Sequence, residues 1–293
     1  MGSLEQSLGD TSDRGGIMRA LPAIEYVIQG ETGPAVLFLA GSYSTSSAWR
    51  GLWAHLRGEW QLAATSLLGC GATVETRRPG NVCMAHEVAV VAEAVRRLGG
   101  GPVHLVGHSF GGTVALAAAL TAEIDVASLA LFEANPFELI AADPELYTEA
   151  RALAVAFTAA LDTGEVDAAR RIIDYWGGAG SFAGMPAKLQ DLCRQTASAN
   201  ALDWQTCFGF RPPREALAAL EIPVLLVRGE RAIPAMVAIT DALAAYLPDA
   251  RSEVVAGAGH FLISTHAEAS AALLLQQLGL GSTAPHHREG CLP

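Results

Sequence analysis

With 293 residues, 51% of them hydrophobic, the chain holds enough apolar material for one large α/β domain, or for one domain carrying an insertion. Its formal net charge is −11, and all of its 19 basic residues except Lys188 are arginines scattered without a basic cluster, which argues against nucleic acid as a partner. Five cysteines, Cys70, Cys83, Cys193, Cys207 and Cys291, are odd in number and form no C-x-x-C pair; this argues against a disulfide framework or a structural zinc site and points to a reducing cytoplasm.

Residues 1–18 are polar and glycine-rich with no apolar stretch of the kind a secretion signal carries, so they read as a disordered leader. Gln6 stands where a myristoylation signal needs Ser or Thr, and no apolar run approaches the ~18 residues of a membrane span, so membrane attachment is not indicated. Strands are then predicted at Ile24–Ile28 and Ala35–Ala40, on either side of a Glu31-Thr32-Gly33-Pro34 turn. A helix over Ser47–Leu56, a strand over Gln61–Leu67 and a helix over Ala85–Leu98 follow, then strand Val103–Val106, helix Gly111–Leu120 and strand Ser128–Phe132. After a long interval come strand Val224–Arg228, helix Met236–Leu247, strand Ser252–Val255 and helix Ala267–Leu278. Such alternation predicts an α/β fold with a mostly parallel sheet covered by helices on both faces. Residues 281–293 read as a flexible tail whose His286-His287 pair is solvated, not a metal ligand set.

Roughly ninety residues lie between Phe132 and Val224, far more than a crossover needs, and predict a helical lid over 137–213 inserted into a core of 19–136 and 214–280. Asp143-Pro144 is a good cap and first-turn pair for a helix running to about Leu161; Gly164 ends it, and Val166–Tyr175 and Pro186–Ala197 are two more. Trp176, Phe182, Trp204, Phe208 and Phe210 concentrate in this interval, first as the insertion's own core and second as a substrate-facing wall.

Chemistry is signalled by Gly107-His108-Ser109-Phe110-Gly111, between a strand and a helix. There a sharp turn with glycine at both ends lets the two elements pass closely and holds Ser109 exposed as a candidate nucleophile. His260, in the Gly257-Ala258-Gly259-His260 loop after the last strand, is the candidate base, since that loop can carry an imidazole across the same sheet edge. His104 lies in a strand, His108 in the turn and His266 at a helix entry, all weaker positions for a base. The backbone amides of Ser42, after Gly41 in an early loop, and of Phe110, after the nucleophile, are the candidate oxyanion donors.

Through the Leu39-Ala40-Gly41-Ser42 loop with Trp49, the turn Gly107 to Gly112, the long insertion, and Gly257 to His260, the chain resembles the α/β-hydrolase superfamily from Ile24 to about Leu280. The resemblance implies an eight-stranded sheet, a Ser-Asp/Glu-His triad with Ser109 and His260 in the nucleophile and base positions, and hydrolysis without a cofactor or metal. Two departures stand out. Ala40 replaces the histidine that commonly precedes the oxyanion-loop glycine, and Ala232 falls where the triad acid is usual, in Gly229-Glu230-Arg231-Ala232. The acid is therefore sought at Glu133, directly after strand Ser128–Phe132, where some relatives place it, with Glu230 as the alternative.

The expected function is a serine hydrolase cleaving an ester-type bond of a small, largely apolar molecule through an acyl-enzyme. A serine nucleophile disfavours chemistries that need an aspartyl ester. Lactonase, thioesterase, C–C hydrolase, acyltransferase, perhydrolase and cofactor-free haloperoxidase reactions use the same residues, and a ligand-binding protein with little turnover is the non-enzymatic alternative. Tyr43, Trp49 and Phe137 are the candidate pocket walls. The expected partner is a small-molecule substrate; an apolar lid face and a homodimer interface look alike in sequence, so a homodimer stays open.

Overall fold

The computed structural model describes residues 23–279. The leader expected at 1–18 and the tail expected at 281–293, with Cys291 and the His286-His287 pair, lie outside the described residues. Seven strands, β1 (Tyr26–Gln29), β2 (Ala35–Leu39), β3 (Gln61–Thr65), β4 (Val103–His108), β5 (Val126–Phe132), β6 (Val224–Gly229) and β7 (Ala250–Val255), form one sheet in the order β1-β3-β2-β4-β5-β6-β7. All neighbours are parallel except β1, which pairs antiparallel with β3. The eight strands implied by resemblance are thus seven among the described residues. Strand β1 is one edge, opposite β7: Val27 and Ile28 are exposed, and no described segment pairs beyond them.

Apolar residues on both faces of β2, β4 and β5 make these strands the buried centre of the sheet. The helices are α1 (Arg50–Trp53), α2 (Met84–Arg97), α3 (Phe110–Ala119), α4 (Pro144–Asp162), α5 (Arg170–Gly177), α6 (Ser181–Gly184), α7 (Ala187–Gly209), α8 (Arg214–Ala218), α9 (Pro234–Tyr246), α10 (Leu262–Thr265) and α11 (Ala267–Gln277). On one face Leu37, Leu105, Leu129 and Leu226 pack with residues of α2, α3 and α9; on the other Val36, Val106, Ala130 and Leu225 pack with Trp49, Leu52 and Leu274. The helix predicted over Ser47–Leu56 is a 3-10 turn, Ser46–Trp49, continued by α1.

Between β5 and β6 the chain forms α4 to α8. Asp143 caps α4, accepting from the Leu146 amide at 3.2 Å, with Pro144 in the first turn. Helix α7 runs on to Gly209, well past the predicted end at Ala197, and carries Asn200 and Asp203 buried along it.

Candidate active site

The parallel register aligns the strand ends: Leu39 sits opposite Gly107, His108 opposite Phe132, and Phe132 opposite Val227. The loops after β2, β4, β5, β6 and β7 therefore leave from one edge, where open α/β sheets bind ligands. Three non-glycine residues among those described have a positive φ, Tyr43 (57°), Ser109 (54°) and Glu133 (47°), and all three stand in these loops. Left-handed backbone is costly for residues with a Cβ and persists where the surroundings impose it.

At Ser109 the imposition is steric. A Cβ on Gly107 would lie 2.4 Å from the Gly111 carbonyl oxygen, and one on Gly111 2.4 Å from the Leu39 carbonyl oxygen, so strand and helix can meet this closely only as glycines. Ser109 N–H donates to the Phe132 carbonyl at 2.9 Å, which ties the turn to the neighbouring strand.

His260 Nε2 lies 3.0 Å from Ser109 Oγ, and His260 Nδ1 lies 2.7 Å from Glu133 Oε2. The other Glu133 oxygen accepts from the Gly229 amide at 2.8 Å, and all three side chains are buried. Burial alone works against an ionised Glu133, but the His260 hydrogen bond and charge and the Gly229 amide together hold its carboxyl below the usual value. Glu230, the alternative acid, does not reach the imidazole: its Oε2 accepts from the Gly257 amide at 2.7 Å and steadies the start of the histidine loop.

Two neighbours of His260 had no signal as such in the sequence. His108 Nε2 donates to the His260 carbonyl at 2.8 Å, and burial pushes the His108 pKa down to about 3, so it serves as a neutral strut. Trp176 lies flat on the imidazole, ring centroids 4.3 Å apart at 17°. His104 is occupied by Ser128 at 2.8 Å, and His266 is the N-cap of α11.

A cavity of about 250 Å³ opens over Ser109. Ser42 and Phe110, the candidate oxyanion donors, line it beside the serine. The loop before Ser42 is tight against Ser109, since a Cβ on Gly41 would lie 3.1 Å from Ser109 Cβ. Of the candidate walls, Tyr43 and Phe137 line the cavity, but Trp49 does not. Trp49 is fully buried under the opposite sheet face, packed 5.1 Å from Phe38 and 6.3 Å from Phe132, because the 3-10 turn rotates its indole toward the sheet. Trp176 and Trp204 serve two ends at once: they line the cavity and stack with Phe137 at 6.2 and 5.4 Å, so the insertion's core and the pocket wall are one aromatic cluster. Phe182 and Phe208 belong to packing behind it.

One polar network reaches the cavity from below. The fully buried Arg77 side chain pairs with Glu75 at 2.8 Å, Glu87 at 2.9 Å and Asp203 at 2.8 Å, and Asp203 accepts from the Ser42 hydroxyl at 2.6 Å. Burial is the largest influence on both Glu87 and Asp203 and raises their pKa values, that of Glu87 to about 8. Among the described residues no group of three or more His, Cys, Asp or Glu side chains is arranged to hold a metal, and no helix is long and apolar enough to cross a membrane.

A seven-stranded, mostly parallel sheet with helices on both faces and a strand-turn-helix serine defines an α/β hydrolase architecture. The family model described as "Alpha/beta hydrolase family" matches residues 36–273, and the chain belongs to that family. Among solved structures it is similar to MenH from S. aureus (18% identity, TM-score 0.68, 86% of this chain and 97% of that one). It is also similar to the enol-lactonase from Burkholderia xenovorans LB400 (19%, 0.68, 87% and 96%) and to a thermophilic esterase from Thermogutta terrifontis (23%, 0.67, 87% and 93%). At these identities the likeness is one of fold. No curated protein matches the chain in sequence.

Proposed function

We propose that the protein is a serine hydrolase that cleaves an ester-type bond of a small, largely apolar substrate without a cofactor. Membership of the family supports hydrolysis as the reaction class. The observation that carries the finer reading is the continuous chain Ser109 Oγ, His260 Nε2 and Nδ1, Glu133 Oε2, at 3.0 and 2.7 Å. In this reading His260 takes the Ser109 proton as Ser109 attacks an acyl carbonyl, and Glu133 fixes the tautomer and steadies the imidazolium. The amides of Ser42 and Phe110 hold the oxyanion. His260 then protonates the leaving alcohol, and water, deprotonated by the same imidazole, releases the acid. The helices over 137–213 act as the lid, with Trp176, Trp204 and Phe137 excluding water from the acyl site. The test is turnover of short-chain p-nitrophenyl esters by wild type beside Ser109→Ala. Activity lost in Ser109→Ala is expected; activity that survives it, or a wild type inactive on every ester, overturns the reading.

A further inference from the structure

Helix α7 turns an unusual face to the cavity. Cys193, Asn200, Asp203, Trp204 and Cys207 recur at helical spacing along it, and all line the pocket. Two of them are polar and buried, Asn200 with 2% and Asp203 with 4% of its surface exposed. Among the described residues Asn200 Oδ1 has no hydrogen-bond partner, and neither has the hydroxyl of Tyr43, a residue that lines the same cavity. Buried polar atoms are nearly always paired, so an orphaned acceptor in a pocket wall marks a place for a donor from a ligand or from water.

Asp203 is anchored where the chemistry is proposed to occur. One oxygen accepts from the Ser42 hydroxyl at 2.6 Å, and the other lies 2.8 Å from Arg77. Among the described residues no lysine or arginine lines the cavity. Arg77, behind Asp203, is already shared among Glu75, Glu87 and Asp203. A carboxylate or phosphate entering this pocket would therefore lose its water and meet no cation, with an acidic side chain in the wall.

We propose that Asn200 and Asp203 form a polar subsite beside the Ser42 loop that accepts a hydrogen bond from an N–H or O–H group of an uncharged substrate. The preferred substrate is then a neutral ester or lactone carrying such a donor close to the scissile carbonyl, and anionic esters are rejected. This assignment rests on the serine-hydrolase reading of the same site.

The test compares three p-nitrophenyl esters of nearly equal shape: the N-acetylglycinate, the 4-oxopentanoate, which has CH2 in place of the N–H, and the hemisuccinate, which carries a carboxylate. Each kcat/KM is divided by the ester's rate of hydroxide hydrolysis to remove intrinsic reactivity. Wild type is expected to favour the N-acetylglycinate over the 4-oxopentanoate by about tenfold or more, with the hemisuccinate the poorest of the three. That preference should fall to near unity in Asn200→Leu, which leaves the Arg77 network intact, and should shrink in Asp203→Asn. No preference in wild type, a preference unchanged in both variants, or a best rate on the hemisuccinate overturns the subsite. A second arm needs no change on α7. Calorimetry on Ser109→Ala with the methyl esters of the same neutral acids should show the N-acetylglycinate binding about tenfold tighter. Equal affinities, or no binding of either, refute the subsite. If wild type hydrolyses none of the esters, the hydrolase reading falls by itself, and this binding ratio still decides whether Asn200 and Asp203 receive a donor.

Discussion

Glu133 Oε2 lies 2.7 Å from His260 Nδ1, 127 positions away in the chain, whereas Glu230, just after β6, turns its carboxylate to the Gly257 amide at the same 2.7 Å. The two acids that the sequence left as rivals thus hold opposite ends of one loop, one the imidazole and the other the backbone. Glu133 reaches the ring because its left-handed backbone, φ 47°, turns the chain as it leaves β5, and its amide stays bonded to the Val227 carbonyl at 2.8 Å.

Glu133→Gln is expected to lower kcat on a nitrophenyl ester by roughly 10³–10⁴-fold, since an amide at this position favours the wrong imidazole tautomer. Glu230→Gln should change the rate by less than about tenfold and should lower the melting temperature instead, through the loosened Gly257 contact. Steady-state kinetics on the two variants decide between them, and a reversed order would move the acid to Glu230.

How far the site could be read in advance follows from how local each signal is. Ser109 was legible because its turn needs glycines at fixed offsets within one short stretch, and His260 because it follows the last strand in a glycine loop. The register that brings the two within 3.0 Å depends on the parallel pairing of the strands, which no local pattern states. Trp49 was misassigned for the same reason: its place just after the Ser42 loop in sequence does not reveal which sheet face the 3-10 turn presents it to. Asn200 and Asp203 are polar residues past the predicted end of their helix at Ala197, and their burial at the cavity depends on tertiary packing that no local pattern states. Glu75 stands two residues before Arg77, but Glu87 on α2 and Asp203 on α7 come from separate segments, and no spacing links them to it.

Trp176 covers one face of the imidazole with rings 17° from parallel, and so, in the proposed mechanism, would supply both water exclusion and attraction for an imidazolium. Trp176→Leu should therefore reduce kcat by roughly 2–30-fold, corresponding to about 0.5–2 kcal/mol, while Trp176→Phe, which keeps an aromatic face, recovers most of it. If the Leu and Phe variants lose activity equally, the stack contributes packing alone.

Gly111→Ala tests the turn itself. The added methyl would sit 2.4 Å from the Leu39 carbonyl oxygen and 2.5 Å from that of Ala40, both backbone atoms of the strand and loop that lead to Ser42, the candidate oxyanion donor. Overpacking of this kind costs about 1–3 kcal/mol, and the displaced loop should also reduce activity in the molecules that fold. Urea unfolding and kinetics on one preparation check both expectations; a fully stable, fully active variant would show that the turn tolerates a side chain after all.

The Arg77 network carries a pH dependence whose sign differs from that of Glu133. Glu87 is buried, and burial together with Asp203 outweighs the attraction of Arg77, so its pKa rises from 4.5 to about 8. Between those values the native state keeps a proton that the unfolded chain has released. The stability this contributes is fully present below about pH 4.5 and is lost as pH rises through about 8. Asp203, also raised, acts in the same sense, whereas His108, held neutral down to about 3, removes stability as pH falls from its ordinary 6.5. Glu87→Gln deletes only the first of these effects. Its unfolding free energy relative to wild type should therefore move in the variant's favour between about pH 5 and about pH 8, with a slope of up to about 1.4 kcal/mol per pH unit. Denaturant unfolding across that range measures the slope, and parallel curves for the two proteins would mean that Glu87 is ionised in the native state throughout.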